Sequence, residues 1–138
     1  MENQVIKVKV VVELLGSPKE HVEETMKMVI EKLKKENGVK LLKEVTYPAE
    51  QNEQVKPMWS TFSDITIEVN SVKKLLDVCF DYMPSSIEII TPENFSVTSN
   101  DYGYLMNELL AQLHQFSFMA KQLAAENMYL KQGKEVKK

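Results

Sequence analysis

The chain has 138 residues, a length that suits one ordinary domain with one hydrophobic core. Hydrophobic residues make up 43% and charged residues 27% of the chain, as in folded globular proteins, so a disordered or fibrous chain is excluded. All 17 residues counted as lysine or arginine are lysines. Because arginine is the side chain that reads guanine and grips phosphate through two-point contacts, its absence disfavours DNA recognition.

The net charge and the cysteine content indicate which partners and which cellular compartment to expect. A net charge of −3 gives no overall field that would draw the molecule to nucleic acid or to an anionic membrane. The single cysteine, Cys79, has no partner for an internal disulfide, and the sequence has neither a long apolar span nor a signal-peptide pattern. We therefore expect a cytoplasmic protein whose partners include neither DNA nor a membrane.

The first half of the chain predicts a strand, a helix and a second strand. Residues 5–15 alternate between apolar and charged side chains with a period of two, which indicates a strand. Residues 17–20, Ser-Pro-Lys-Glu, have the pattern of a capping box, so a helix is expected to begin there and to end at residues 37–38, Asn-Gly. Residues 39–47 indicate the second strand, and residues 48–57 a loop. Simple alternation in the second strand places these side chains on one face: Val39, Leu41, Val45 and Tyr47.

The second half predicts a strand, a helix, a strand and a long helix. Residues 61–69 alternate again, with Ile65, Ile67 and Val69 facing inward. Asn70-Ser71 is expected to cap a helix that ends at Met83-Pro84, and residues 87–91 predict a short strand. The last helix is expected to open at Ser99 or Asn100 and to continue to about Leu130.

This order of elements indicates an α+β fold. A βαββαβ sequence followed by a helix fits a ferredoxin-like split βαβ plait, in which two helices cover one face of an antiparallel sheet. We expect the plait at residues 1–97, the C-terminal helix with its heptad pattern at residues 98–131, and a basic flexible tail at residues 132–138. Such a fold hosts many unrelated functions, so it does not by itself assign one.

The last predicted helix carries a heptad pattern. From Met106 to Leu130, residues of one helical stripe recur at spacings of three and four without interruption, which is typical of a helix that pairs with another helix. If Met106 takes position a, Asn127 falls at an a position, where an asparagine fixes register in two-stranded coils. The pattern covers about 37 Å at 1.5 Å per residue. The predicted oligomerisation residues are Met106, Leu109, Leu113, Phe116, Ala120, Leu123, Asn127 and Leu130.

The sequence leaves two arrangements of this helix open. Leu105, Leu110 and Met119 widen the apolar stripe beyond what a two-stranded coil needs, as expected for a helix lying across its own sheet. The heptads instead favour pairing with a second helix. We expect a non-enzymatic interaction or assembly domain that forms a homodimer, or docks onto another protein, through this helix.

The sequence offers no recognisable catalytic centre, metal site or cofactor site. His21 and His114 are isolated, and neither is spaced to share a metal with a second ligand on one helical face. Cys79 lies on the apolar stripe of its predicted helix, where a buried and unreactive thiol is expected. P-loop, dinucleotide-binding and Gly-x-Ser-x-Gly motifs are also missing from the sequence.

A second functional hypothesis concerns the loop Gly16-Ser17-Pro18, where a strand leads into the N-terminus of a helix. The free amides of a helix N-terminus favour a carboxylate or another small anion. The loop resembles the site at which ACT-family plait domains bind amino acids at dimer interfaces, with a glycine after the first strand. In that family an acidic residue and a proline precede the glycine, whereas here the proline follows it. The resemblance implies a regulatory module that binds a small anionic or amino-acid ligand.

The third candidate surface is the segment that contains the only tryptophan. Met58, Trp59 and Phe62 are anchor-type residues for a protein partner where they are exposed. Plait domains that bind RNA carry aromatic residues on their first and third strands, and this chain resembles them only in topology. Because Glu68 and Glu88 on the same sheet face would repel phosphates, RNA is the least favoured of the partners considered.

Overall fold

The computed structural model describes residues 4–133. Within them, five strands form one antiparallel open sheet, two helices lie between strands, and a long helix follows the last strand. The chain divides into two compact units, Met1–Ser96 and Val97–Lys138. The elements are β1 (Ile6–Gly16), α1 (Lys19–Lys34), β2 (Val39–Thr46), β3 (Glu50–Gln51), β4 (Trp59–Val69), α2 (Val72–Tyr82), β5 (Ser86–Thr91) and α3 (Ser99–Lys131).

The long strands β1 and β4 form the centre of the sheet. The strand order is β2-β4-β1-β5, every neighbouring pair is antiparallel, and the short β3 also pairs with β4. The register between β1 and β4 runs without a shift from the pair Ile6–Val69 to the pair Gly16–Trp59. Because no residue is inserted, alternate residues of both strands keep to the same face along their whole length.

The hydrophobic core of the first unit lies between one face of this sheet and the two helices α1 and α2. The inward residues predicted for the strand at 61–69, Ile65, Ile67 and Val69, are fully buried, which confirms that prediction. We call the opposite, more exposed face the outer face. The other buried residues of this core are Ile6, Val8, Val10 and Val12 of β1, Met26, Ile30 and Leu33 of α1, and Leu75 and Val78 of α2.

The sequence predicts wrongly which side chains of the second strand share a face beyond Leu41. Leu41 pairs with Ile67, whereas Lys43 already pairs with Thr66, so Leu42 is an extra residue without its own partner. Such a bulge reverses which side chains point to which face of the strand, because the side-chain period is two. Simple alternation along the sequence cannot reveal it.

The bulge separates the four side chains that were expected to share a face. Val39 and Leu41 pack against the core, as predicted. Val45 instead lies opposite Asp64 on the outer face, and the Tyr47 hydroxyl donates a hydrogen bond of 3.3 Å to Asp64 Oδ2. The exposed apolar side chains of this strand therefore belong to the outer face and not to the core.

The start of α2 agrees with the sequence prediction, whereas the start of α1 differs from it. Ser71 caps α2, since its hydroxyl accepts a hydrogen bond of 3.0 Å from the Lys74 amide, as predicted. The capping box predicted at residues 17–20 is not formed: α1 is capped by Pro18, whose carbonyl accepts from the Val22 amide at 3.2 Å, and no side chain caps it. The reason is that the helix begins one residue later than expected, which places proline at the cap position.

The remaining differences from the predicted elements are small. Residues 50–51 of the predicted loop form β3, which pairs with Ser60 and Trp59, and β4 begins at Trp59 instead of residue 61. No helix in residues 4–133 has the combination of length and apolar character that a membrane span requires. The predicted basic tail spans residues 132–138, and its residues from 134 onward lie outside the described part of the chain.

Candidate functional site

The second unit consists of the helix α3 and short flanking segments. Thr98 caps the helix, since its hydroxyl accepts a hydrogen bond of 3.1 Å from the Asp101 amide. The helix has 33 residues and is therefore about 50 Å long. Because this unit contains only one helix among its described residues, none of its own elements can cover an apolar stripe on that helix.

The predicted heptad residues form a continuous stripe on α3, which we call the seam. Met106 and Leu109 near its start are half-buried. Later residues of the seam are exposed, with Leu123 at 59% and Leu130 at 58% of their full accessible surface. Other exposed apolar side chains flank the seam or lie behind it, among them Leu110, Phe118 and Met119. Exposed apolar stripes of this length are typical of surfaces that contact another protein, a membrane or a ligand.

The loop Gly16-Ser17-Pro18 joins β1 to α1 as the sequence predicts. Ser17 and Pro18 are exposed, while Gly16 is half-buried. A small cleft of about 260 Å³ lies beside the loop and includes Gly16, Ser17 and His21 in its lining, but not Pro18. The structure thus brings two of the three predicted residues to one cleft.

Packing explains the glycine at position 16. A Cβ atom built on Gly16 would lie 3.1 Å from Cγ2 of Val22, a buried residue of α1. That distance is shorter than ordinary van der Waals contact, so a Cβ atom at position 16 would require the Val22 side chain to move by a few tenths of an ångström. Gly16 therefore allows strand and helix to approach each other closely, independently of any ligand.

The predicted partner-binding residues do not form one surface. Trp59 and Phe62 are three residues apart on β4, which has no bulge against β1, so their side chains lie on opposite faces of the sheet. Met58 precedes the strand and closes a turn, since its amide donates to the Val55 carbonyl at 2.8 Å. Phe62, at 41% exposure, belongs to the outer face.

Trp59 instead lies next to the predicted ligand loop. It pairs with Gly16 across the sheet, and Lys19 Nζ at the start of α1 lies 5.6 Å from the centre of the indole ring. The indole ring is half-buried, and the contact with Lys19 is of the cation–π type. The sequence could not place Trp59 beside Gly16 because the two residues are far apart in the chain and only the register of the two strands joins them.

A larger cleft, which the sequence did not indicate, lies between α1 and the second half of β2. Its volume is about 450 Å³, and its charged lining residues are of both signs: Glu23, Lys27, Glu31 and Glu44. Glu23 Oε2 accepts a hydrogen bond of 2.9 Å from the amide of Ala49, so this carboxylate holds the segment after β2 against α1. The bulge in β2 turns Glu44 and Thr46 toward the face that carries α1, and both residues line the cleft.

The one cysteine and the two histidines of the chain lie in different surroundings. Cys79 is half-buried on α2, and burial raises the pKa of its thiol, which disfavours the reactive thiolate. His21 lines the small cleft, whereas His114 is exposed on α3. Among residues 4–133, no three His, Cys, Asp or Glu side chains come together in a way that would hold a metal ion.

Comparison with known proteins shows to which family the chain belongs. The model of the MJ0538 family matches residues 7–137. Uncharacterized protein MJ0538 of Methanocaldococcus jannaschii is 29% identical over 133 residues, which are 95% of this chain and 48% of that protein. The chain thus spans about half the length of the curated relative it matches. No solved structure matches significantly. The chain belongs to the MJ0538 family.

Proposed function

We propose that this protein is a non-enzymatic assembly module that forms a homodimer through α3. The observation that carries the proposal is the seam. It extends over more than three heptads of α3, and the described residues of the second unit contain no other element that could cover it. Each leucine that such pairing removes from water contributes roughly 1.5–3 kcal/mol. The heptad spacing fits a second helix of the same kind, and so we take the partner to be a second copy of the chain.

We further propose that the first unit is a ferredoxin-like split βαβ plait. Two features support this reading: the strand order β2-β4-β1-β5 with antiparallel neighbours, and the packing of α1 and α2 into one core on the same face of the sheet. In this arrangement each helix connects two strands that are separated by a third, as in a split βαβ unit. The plait is then the folded body from which α3 extends in sequence.

The dimer is tested by the mass of the full-length protein in solution. We expect sedimentation equilibrium to give twice the mass of the chain, and the double substitution Leu123→Ala with Leu130→Ala to shift the equilibrium toward the monomer. Phe118→Ala is the matched control, because Phe118 is exposed on α3 but lies off the seam. Circular dichroism of each variant shows whether helix content is kept.

Two results would contradict the proposal. One is a wild-type protein that remains monomeric at the highest concentrations measured. The other is a dimer whose dissociation constant is unchanged by the double substitution, since that would place the interface away from the seam. If α3 forms a stable complex with a different protein and no dimer is found, that protein is the partner, and not a second copy of the chain.

A further inference from the structure

We infer that the two copies of α3 pair in parallel and in register, and that Glu126, Lys131 and Asn127 select this orientation. The inference rests on the proposed homodimer and goes beyond it by fixing how the second copy lies on the seam. It starts from the residues that flank the seam, which face the partner helix at its edges. With Met106 at position a, the g positions are Leu105, Gln112, Met119 and Glu126, and the e positions are Leu110, Ser117, Ala124 and Lys131.

In a parallel, in-register pair, each g residue faces the e residue that lies five positions later on the partner helix. For Glu126 that residue is Lys131, so a dimer contains two pairs of opposite charge, related by its symmetry. Both side chains are exposed, and within the described part of the chain neither forms an ion pair. Residues five apart do not meet on one helix, where neighbours are three or four apart. A second copy therefore supplies the partner that each charge lacks.

The flanking positions of the second and third heptads agree with the same orientation. The parallel register pairs glutamine with serine in the second heptad and methionine with alanine in the third, whereas Leu105 of the first heptad is already buried within the chain. None of these combinations brings two like charges together.

Asn127 separates the parallel from the antiparallel arrangement. In the parallel register it faces its own copy, and two amides hydrogen-bond to each other within the seam. An antiparallel pair that overlaps along the full seam places Asn127 opposite Leu109, where the amide has no partner and its burial is costly. The g positions of such a pair also hold no lysine to meet Glu126. Of these two arrangements, only the parallel one gives a partner both to Asn127 in the seam and to Glu126 beside it.

Charge exchange in the full-length protein tests the pairing of Glu126 with Lys131. Glu126→Lys alone and Lys131→Glu alone place like charges across the dimer, and we expect each to weaken it by about tenfold. Mixing the two variants should restore association as a heterodimer, because both cross-helix pairs are then opposite in charge. The control is the exchange of Lys121, also exposed on α3 but outside the e and g positions, for glutamate. That variant should neither weaken the dimer nor form a heterodimer preferentially.

A disulfide tests the orientation independently of charge. In a Cys79→Ser background, Leu130→Cys should cross-link efficiently to its own copy on mild oxidation, because equivalent d positions are adjacent only in a parallel pair. Ala111→Cys on the opposite side of the helix should not cross-link. A wild-type dimer that shows neither rescue on mixing nor a cross-link at position 130 overturns this inference and leaves the proposed dimer standing, whereas a monomeric wild-type protein overturns both.

Discussion

Glu36 and Lys74 join the segment after α1 to the first turn of α2. Lys74 Nζ donates a hydrogen bond of 3.0 Å to Glu36 Oε2, and the hydroxyl of Tyr82, at the other end of α2, donates to Glu36 Oε1 at 3.2 Å. One carboxylate thus holds both ends of the second helix. The hydrogen bond from Lys74 lowers the pKa of Glu36 from its ordinary value. Burial opposes this effect, while the charge of Lys74 and the hydroxyl of Tyr82 add to the lowering.

The first prediction concerns stability in acid. Because the pKa of Glu36 is lower in the folded than in the unfolded chain, its stabilising contribution is complete above the ordinary value of 4.5 and is lost as the pH falls through the folded value. We expect Glu36→Gln to lower the melting temperature at neutral pH. In acid, the melting temperature of the variant should then decrease less than that of the wild-type protein. Thermal melts of both proteins across this pH range measure the effect.

Glu31→Gln is the control for that prediction, because Glu31 pairs with Lys34 on the exposed surface of α1. Exposed pairs of this kind contribute little to stability. If both substitutions changed the acid dependence of the melting temperature equally, the link between α1 and α2 through Glu36 would not be the cause.

The second prediction concerns Gly38, which ends the turn before β2. Its φ angle is +79°, and a Cβ atom at this position would lie 2.8 Å from Nδ2 of Asn70. Gly38→Ala therefore combines a strained backbone with a steric clash, and we expect it to lower the free energy of unfolding by about 1–3 kcal/mol. Urea denaturation followed by circular dichroism measures this loss.

Gly133 provides a matched control for Gly38. Its φ angle is +73°, but no atom lies within 4 Å of the position where a Cβ would be. Gly133→Ala carries the backbone strain without the clash and lies at the end of α3, so we expect a smaller effect on unfolding. Equal losses from both substitutions would show that contact with Asn70 is unimportant.

The third prediction compares two serines that precede helices. Ser71→Ala removes the hydroxyl that caps α2 and should cost about 1 kcal/mol of stability. Ser17→Ala should cost much less, because no side chain caps α1. Ser71 makes a cap hydrogen bond and Ser17 does not, and urea denaturation compares the two variants directly. A larger loss from Ser17→Ala than from Ser71→Ala would mean that the capping box forms in solution.

Regular periodicity explains which parts of the structure the sequence predicts. The faces of β1 and β4 follow from simple alternation because these strands pair without a bulge, and the seam of α3 follows from the spacing of its apolar residues. The outward turn of Val45 does not follow, because the bulge at Leu42 depends on how β2 aligns with β4. Likewise, the proximity of Trp59 to Gly16 is a property of strand register, which a single sequence does not contain.

The bulge at Leu42 also affects how sequences of this family should be aligned. Removing one residue at that position would return the end of β2 to simple alternation, so Val45 and Tyr47 would turn toward α1 and the polar side chains of Glu44 and Thr46 toward solvent. A one-residue gap there therefore exchanges the two faces of an edge strand and changes which β2 side chains line the cleft beside α1. Relatives that differ in length at this position should differ in the surface they present even where the flanking residues are identical.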